Sequence, residues 1–161
     1  MALRAVLTLR PAKAEDFPIV CGLWQQGALF HARIQPKFFR VPTEETLRQR
    51  FEKTMCSTNG HLLVAELDGL AVGVLELHVY DTPKDQSMVQ LRRLCVDDVV
   101  VDAGCRRRGI GRALMEAAVD LGRRHRAQQL VLTVWNGNKT AHEFYRSLGY
   151  TEINTVLGVE L

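Results

Sequence analysis

Residues Val96 to Arg112, Val-Asp-Asp-Val-Val-Val-Asp-Ala-Gly-Cys-Arg-Arg-Arg-Gly-Ile-Gly-Arg, constrain the fold of this chain more than any other stretch. The apolar run reads as a buried strand. A turn with three arginines and two glycines follows, and then Ile110, Leu114, Ala117 and Leu121 repeat at helical spacing. A strand that feeds a glycine-containing turn into a helix start builds an anion site from backbone alone. The first amides of a helix have no internal partner, and the helix dipole favours negative charge there. The stretch therefore predicts a cradle for a phosphate-bearing ligand, with the rest of the chain arranged beside it. The alternative is a turn whose glycines permit positive φ and whose arginines are simply solvated.

The chain has 161 residues, enough for one domain with a real core, and a single domain over 1–161 is expected. Its 47% hydrophobic and 24% charged residues are ordinary for a soluble globular protein. No apolar run is long enough for a membrane span, and the N-terminus reads as a first strand rather than a signal peptide. Cys21, Cys56, Cys95 and Cys105 show no CxxC spacing, so neither a metal nor a disulfide framework is suggested and a reduced, cytoplasmic protein is expected. A net charge of +3 suits an anionic ligand but does not argue for nucleic acid.

Taken in order, Val6–Leu9 reads as a strand, and about Ala14–Phe30 as a helix with Phe17, Val20, Cys21 and Trp24 on one face. His31–Pro42 reads as a loop rich in large apolar side chains, suited to closing over a pocket. Thr43 is a good N-cap for a second helix, with Leu47, Phe51 and Met55 on its inner face. His61–Leu67 and Leu70–Tyr80 form a hairpin around Asp68-Gly69. Met88–Val101 is a long strand, and the helix after it carries Asp120 and Arg124 at i, i+4. Leu130–Trp135 is a further strand, and Ala141, Phe144, Tyr145 and Leu148 mark a last helix stopped by Gly149. Tyr150–Leu161 reads as a final strand, with a kink at Gly158. The order β-α-α-β-β-β-α-β-α-β predicts a mixed α/β sheet with antiparallel hairpins and later helical crossovers.

The minimal cradle pattern, Arg106-x-x-Gly109-x-Gly111, arises by chance in roughly one chain in seven of this length, so it needs support. A dinucleotide fingerprint requires Gly or Ala where Leu114 stands, and a P-loop requires Gly-Lys-Ser/Thr, which is absent. Both of those phosphate motifs fail.

Arg106-Arg-Arg-Gly-Ile-Gly111 resembles the signature loop of the GNAT superfamily of acetyl-CoA-dependent N-acetyltransferases. Asn138-Lys-Thr-Ala-His-Glu-Phe-Tyr145, followed by Gly149-Tyr150, resembles the second signature of that superfamily. The element order is similar to that fold, and Val96-Asp-Asp-Val-Val-Val is similar to its diamine and amino-sugar branches. The chain departs from several relatives in having Arg107 where they have Gly.

The resemblance implies that coenzyme A lies along the strand ending at Val101, with backbone of Val99, Val100 and Val101 offered to the pantetheine arm. An amide near Val99 or Val100 would then serve as oxyanion donor. It places the pyrophosphate on amides from Arg107 to Arg112, in the loop Arg106, Arg107, Arg108, Gly109, Ile110, Gly111 and Arg112, and brings Asn138 and Lys139 within reach of the coenzyme. Tyr145 is implied as general acid, since a phenol near its reference pKa of about 10 is protonated at neutral pH; the alternative is a packing aromatic.

Asp97 is implied as base, acting through water. Adjacent residues of a regular strand face opposite sides, so Asp97 and Asp98 are expected to diverge. A structural bridge from Arg92 or Arg93 to either carboxylate is the competing reading. Trp24, Phe30, His31, Glu76 and Asp98 are candidates for the acceptor pocket, along with Phe38 and Phe39. No metal site is expected.

The activity so implied is acetyl transfer from acetyl-CoA to a primary amine, of a small molecule in the first reading. The alternatives are a protein or peptide amine, or a non-catalytic acyl-CoA-binding module. No nucleic-acid or membrane partner is expected, and a homodimer is compatible.

Overall fold

A computed structural model describes residues 5–160. The chain begins with β1 (Leu7–Pro11) and one 3₁₀ turn at Ala14–Asp16. Then come α1 (Phe17–Ile34), α2 (Glu44–Cys56), β2 (Gly60–Leu67), β3 (Leu70–Asp81) and β4 (Arg92–Val101). A second 3₁₀ turn at Ala103–Cys105 leads to α3 (Ile110–Arg124), β5 (Gln129–Leu132) and α4 (Lys139–Ser147). The five strands lie side by side in the order β1-β2-β3-β4-β5. The first three pairings are antiparallel, and β4–β5 is parallel, joined by α3 as a crossover.

Local chemistry accounts for the turns. Asp68 and Gly69 both take positive φ, 52° and 81°, as a tight primed hairpin turn demands. Thr43 caps α2 by accepting a hydrogen bond from the Thr46 amide at 3.2 Å. Asn138 caps α4 by accepting from the Ala141 amide at 3.1 Å. The 3₁₀ turn before α1 is anchored by Asp16, which accepts two bonds from the Arg10 guanidinium, at 2.7 and 2.8 Å, and one from the Lys13 amide at 2.7 Å.

The sheet separates two cores. On one face α1 and α2 bury Leu23, Trp24, Leu47 and Phe51 against Val64, Val74 and Val100. On the other, α3 buries Ile110, Leu114, Met115 and Ala118 against Leu75, Leu77 and Leu94. The alternation of a pleated strand divides β3 between them, with Val74 to one side and Leu75 and Leu77 to the other.

Several expected boundaries move. The first helix runs on through His31 to Ile34, which shortens the apolar loop. β4 starts at Arg92 rather than Met88, because its ladder with β3 ends at the Asp81–Arg92 pair; Met88 and Val89 project into solvent. Met55 is exposed at the end of α2, whose inward stripe is Leu47, Arg50, Phe51 and Thr54. Arg123 rather than Arg124 reaches Asp120, at 3.0 Å. The expected last strand does not form: residues 150–160 have no strand partner, and 151–160 are exposed throughout. Among the described residues no helix is long and apolar enough to cross a membrane. The four cysteines are free thiols.

Candidate active site

β4 is paired with β5 only over Arg93–Val96. Beyond that point the two strands part, and Asp98–Val101 is paired with β3 on one side and unpaired with β5 on the other. The Asp102 amide donates to Val72 of β3 at 2.8 Å. By alternation the Val100 amide and carbonyl also face β3, whereas those of Val99 and Val101 face the open cleft. Among the described residues one side chain is bonded there, that of Arg106, whose Nε donates to the Val101 carbonyl at 3.4 Å.

The cleft leads directly to the start of α3. Asp102 holds the connecting turn by accepting from the Gly104 amide and from Gln26 Nε2, both at 2.9 Å. Arg107 sits in the left-handed region at φ 60°, which explains why glycine suits that position elsewhere. Gly109, at φ 81°, is the N-cap of α3, and a β-carbon there would meet nothing within 4 Å. The first amide with a helical acceptor is that of Ala113, bonded to Gly109 O at 3.0 Å. The preceding amides have no helical acceptor and are flanked by Arg106, Arg107, Arg108 and Arg112, and the space beside Gly109 is open. Gly111 has a different purpose: a β-carbon would come within 3.3 Å of the Phe144 ring, so its absence lets α4 pack on α3.

On the α1–α2 face of β4 lies a cavity of about 860 Å³. Asp97 and Asp98 both line it, contrary to the expected divergence. A β-bulge is the reason: Glu76 pairs with Asp98 and Leu77 with Val96, so Asp97 is the extra, unpaired residue and the alternation slips by one.

Arg50 is the centre of the cavity wall. It donates from Nε to Glu76 at 2.7 Å, contacts the same carboxylate through Nη2, and reaches Asp98 at 3.1 Å. Its guanidinium lies over the Trp24 ring, 4.1 Å from the centroid. Thr54 donates to the other Glu76 oxygen at 2.5 Å. Burial raises the Asp98 carboxyl above the usual range, against the opposing pull of Arg50. Asp97 pairs with His78 Nδ1 at 2.7 Å, and both side chains are partly open to the cavity. Neither Arg92 nor Arg93 bridges to these acids; Arg92 bonds Asp81, and Arg93 bonds Gln129.

His78, Cys95 and Asp97 bring ligating atoms within 4.8 Å of one another. Burial and the Asp97 charge push the Cys95 thiol up to about 11, so without a metal it stays protonated at neutral pH and is a poor nucleophile.

Tyr145 packs between Phe144 and Tyr150, with ring centroids 5.1 and 5.7 Å away. Burial and then the Asp98 charge raise its phenol well above the ordinary value. Of the expected acceptor residues, Trp24, His31, Glu76 and Asp98 line the cavity, as does Phe39, while Phe30 and Phe38 do not. Asn138 and Lys139 begin α4 as expected. Sequence reasoning missed Arg50 and His78. Arg50 lies three residues after Leu47 and four before Thr54, on the buried face of α2, and a cation at that spacing was the available signal. His78 shares a strand face with Glu76, two residues away.

The GNAT acetyltransferase family model matches residues 28–150. The uncharacterized N-acetyltransferase YhfO of Bacillus subtilis is 26% identical over 146 residues, 91% of each protein. Streptothricin acetyltransferase of Streptomyces lavendulae is 42% identical over 59 residues, 37% of this chain and 31% of that one. An uncharacterized N-acetyltransferase of Lactobacillus delbrueckii is 32% identical over 89 residues, and the match spans about half of each protein, 55% of this chain and 50% of that one. Among solved structures, a mutant of a Bacillus halodurans protein superposes with a TM-score of 0.90 at 28% identity, covering 96% of this chain and 99% of that one. An aminoglycoside 6'-N-acetyltransferase of Acinetobacter haemolyticus shares the fold, with a TM-score of 0.73 at 16% identity over 96% and 97% of the chains.

Proposed function

The chain belongs to the GNAT acetyltransferase family, and from that premise we propose that it moves an acetyl group from acetyl-CoA to a primary amine of a small molecule. The observation that carries this reading is the parting of β4 from β5. It leaves an open backbone edge at Asp97–Val101, continuous with the α3 cradle and bordered by an acid-lined cavity. The streptothricin and aminoglycoside acetyltransferases among the similar proteins support a small-molecule acceptor.

When bound, acetyl-CoA supplies a thioester carbonyl activated toward amines. The amides of Arg107 to Arg112 and the neighbouring guanidiniums hold the pyrophosphate, with Asn138 and Lys139 at the rim. The cleft-facing groups of Val99 and Val101 bind the pantetheine arm, and alternation selects the Val99 amide over that of Val100 as oxyanion donor. His78, held by Asp97, accepts the proton from the incoming ammonium, so Asp97 positions the base rather than acting alone. The raised phenol of Tyr145 stays protonated and donates a hydrogen bond to the departing sulfur. Cys95 remains a thiol, which favours direct attack by the amine over an acyl-cysteine route.

Glu76 and Asp98 are engaged by Arg50 and so form the cavity wall rather than a free ammonium site. Trp24 and His31 complete that wall.

The test is thiol release from acetyl-CoA across polyamines, amino sugars and peptides. Turnover is expected with small amines, and His78→Gln and Asp97→Asn should each lower kcat by about 10²-fold with little change in KM for acetyl-CoA. Turnover confined to peptides overturns the acceptor class. Coenzyme binding without turnover on any amine overturns the enzyme reading.

A further inference from the structure

His78, Cys95 and Asp97 bring an imidazole nitrogen, a thiol sulfur and a carboxylate oxygen together, all within 4.8 Å of one another. The sheet makes this cluster. His78 and Cys95 are direct partners in the β3–β4 ladder, so their side chains share a face. Asp97 stands two residues beyond Cys95 and is the extra residue of the bulge; its carboxylate meets His78 Nδ1 at 2.7 Å. The Tyr80 ring flanks that of His78, with centroids 5.3 Å apart. The Cys95 thiol makes one long contact, 3.8 Å to the Val96 carbonyl. The scattered cysteines of the sequence suggest no metal, because these donors converge from two strands rather than from one contiguous motif.

The donor set discriminates among cations. Magnesium and calcium take oxygen ligands, whereas a thiolate with an imidazole and one carboxylate suits zinc. In a tetrahedral zinc site such ligand atoms lie about 3.4–3.6 Å apart, so the widest gap closes by roughly 1 Å and the His78–Asp97 contact opens by slightly less. Both are side-chain movements on a ladder whose backbone is already fixed. His78 and Asp97 also line the acceptor cavity, which gives an ion a way in and leaves room for water as fourth ligand.

We propose that His78, Cys95 and Asp97 form a site for a thiophilic divalent cation, zinc above all, in the wall of the acceptor cavity. The ion binds Cys95 as thiolate, and the thiol proton leaves to solvent. It takes Nδ1 of His78 in place of the Asp97 contact. A neutral imidazole bound through Nδ1 carries its proton on Nε2, so that ring has no free nitrogen left to accept one from the substrate. Zinc therefore switches the enzyme off. The site itself stands on the geometry alone; the inhibition rests on the reading of His78 as the base.

The experiment is cobalt titration of the tag-free full chain in a phosphine reductant. One Co2+ per chain is expected, with thiolate-to-cobalt charge-transfer absorption in the near ultraviolet. Zn2+ should displace it, and Mg2+ in large excess should not. Cys95→Ser should remove the absorption, while Cys56→Ser, at an exposed thiol elsewhere, retains it. Asp97→Asn should weaken cobalt binding by about 10-fold or more. With the acetylated amine as readout, saturating buffered Zn2+ should lower kcat by about 10²-fold. Cys95→Ser should keep the metal-free rate and need at least about 10-fold more Zn2+ for the same loss. No cobalt bound, absorption that survives Cys95→Ser or vanishes with Cys56→Ser, binding unaltered by Asp97→Asn, or displacement by Mg2+ as readily as by Zn2+ each overturns the site. Metal bound at Cys95 with kcat unchanged supports the site and overturns His78 as the base.

Discussion

Arg50 shows how one side chain organises the acceptor cavity. It spans Glu76 and Asp98 while stacking on Trp24, so it offsets part of the charge of two acids that the fold forces into one small volume. Removing it leaves a buried carboxylate unpaired. Arg50→Met should therefore cost about 2–3 kcal/mol in urea unfolding, below the usual cost of a broken buried pair because the Arg50 side chain is 33% exposed. Asp16 offers a cleaner titration. The Arg10 guanidinium holds its carboxyl below the ordinary range in the folded state, so its stabilisation is complete above the unfolded pKa of about 4 and is lost as pH falls through the lower folded value. Asp16→Asn should destabilise at pH 7 and narrow its gap to the wild type below pH 4. For Tyr145 the shift runs upward, so the phenol keeps its proton further into the alkaline range. Tyr145→Phe should lower kcat by about 10²-fold, with a ratio to wild type that stays flat between roughly pH 6 and 10.

At the scale of elements, the two glycines of the cradle have separable duties. Gly109 needs its left-handed backbone, and Gly109→Ala should cost about 1 kcal/mol in stability and raise KM for acetyl-CoA, since strain falls on the cradle amides. Gly111 needs only its missing side chain. Gly111→Ala pushes on the Phe144 ring, hence on α4 and Tyr145, and should lower kcat more than it raises that KM. Steady-state kinetics on both variants separates the two. The β4 bulge belongs to this scale as well: a single extra residue turns two diverging aspartates into neighbours on one cavity wall.

For the molecule as a whole, the two faces of the sheet are unequal partners in function. One carries a core closed by α3, while the other gives up packing between α1, α2 and β4 to keep a cavity of about 860 Å³ open. Ligand binding should therefore stabilise the whole domain. Coenzyme A at about a hundred times its Kd adds about 2.7 kcal/mol, which corresponds to a rise in Tm of about 5–10 °C. Scanning calorimetry with and without the coenzyme, in reductant because Cys56 is an exposed free thiol, checks this.

The sequence by itself determined the elements and their order from β1 through α4. Local rules act within a few residues: Asp68-Gly69 made its hairpin, Thr43 and Asn138 capped their helices, and the arginine–glycine loop opened α3. It also determined the family, because both signatures are contiguous. Tertiary structure alone decided what meets across the sheet. The bulge that turned Asp97 inward depends on the register of β3 against β4, and register is a relation between strands far apart in sequence. Arg50 and His78 became part of the site only when α2 and β3 were brought to β4, 48 and 19 residues away. The last strand failed for the same reason: residues 151–160 have the pattern of a strand, and a strand exists only where another offers it hydrogen bonds.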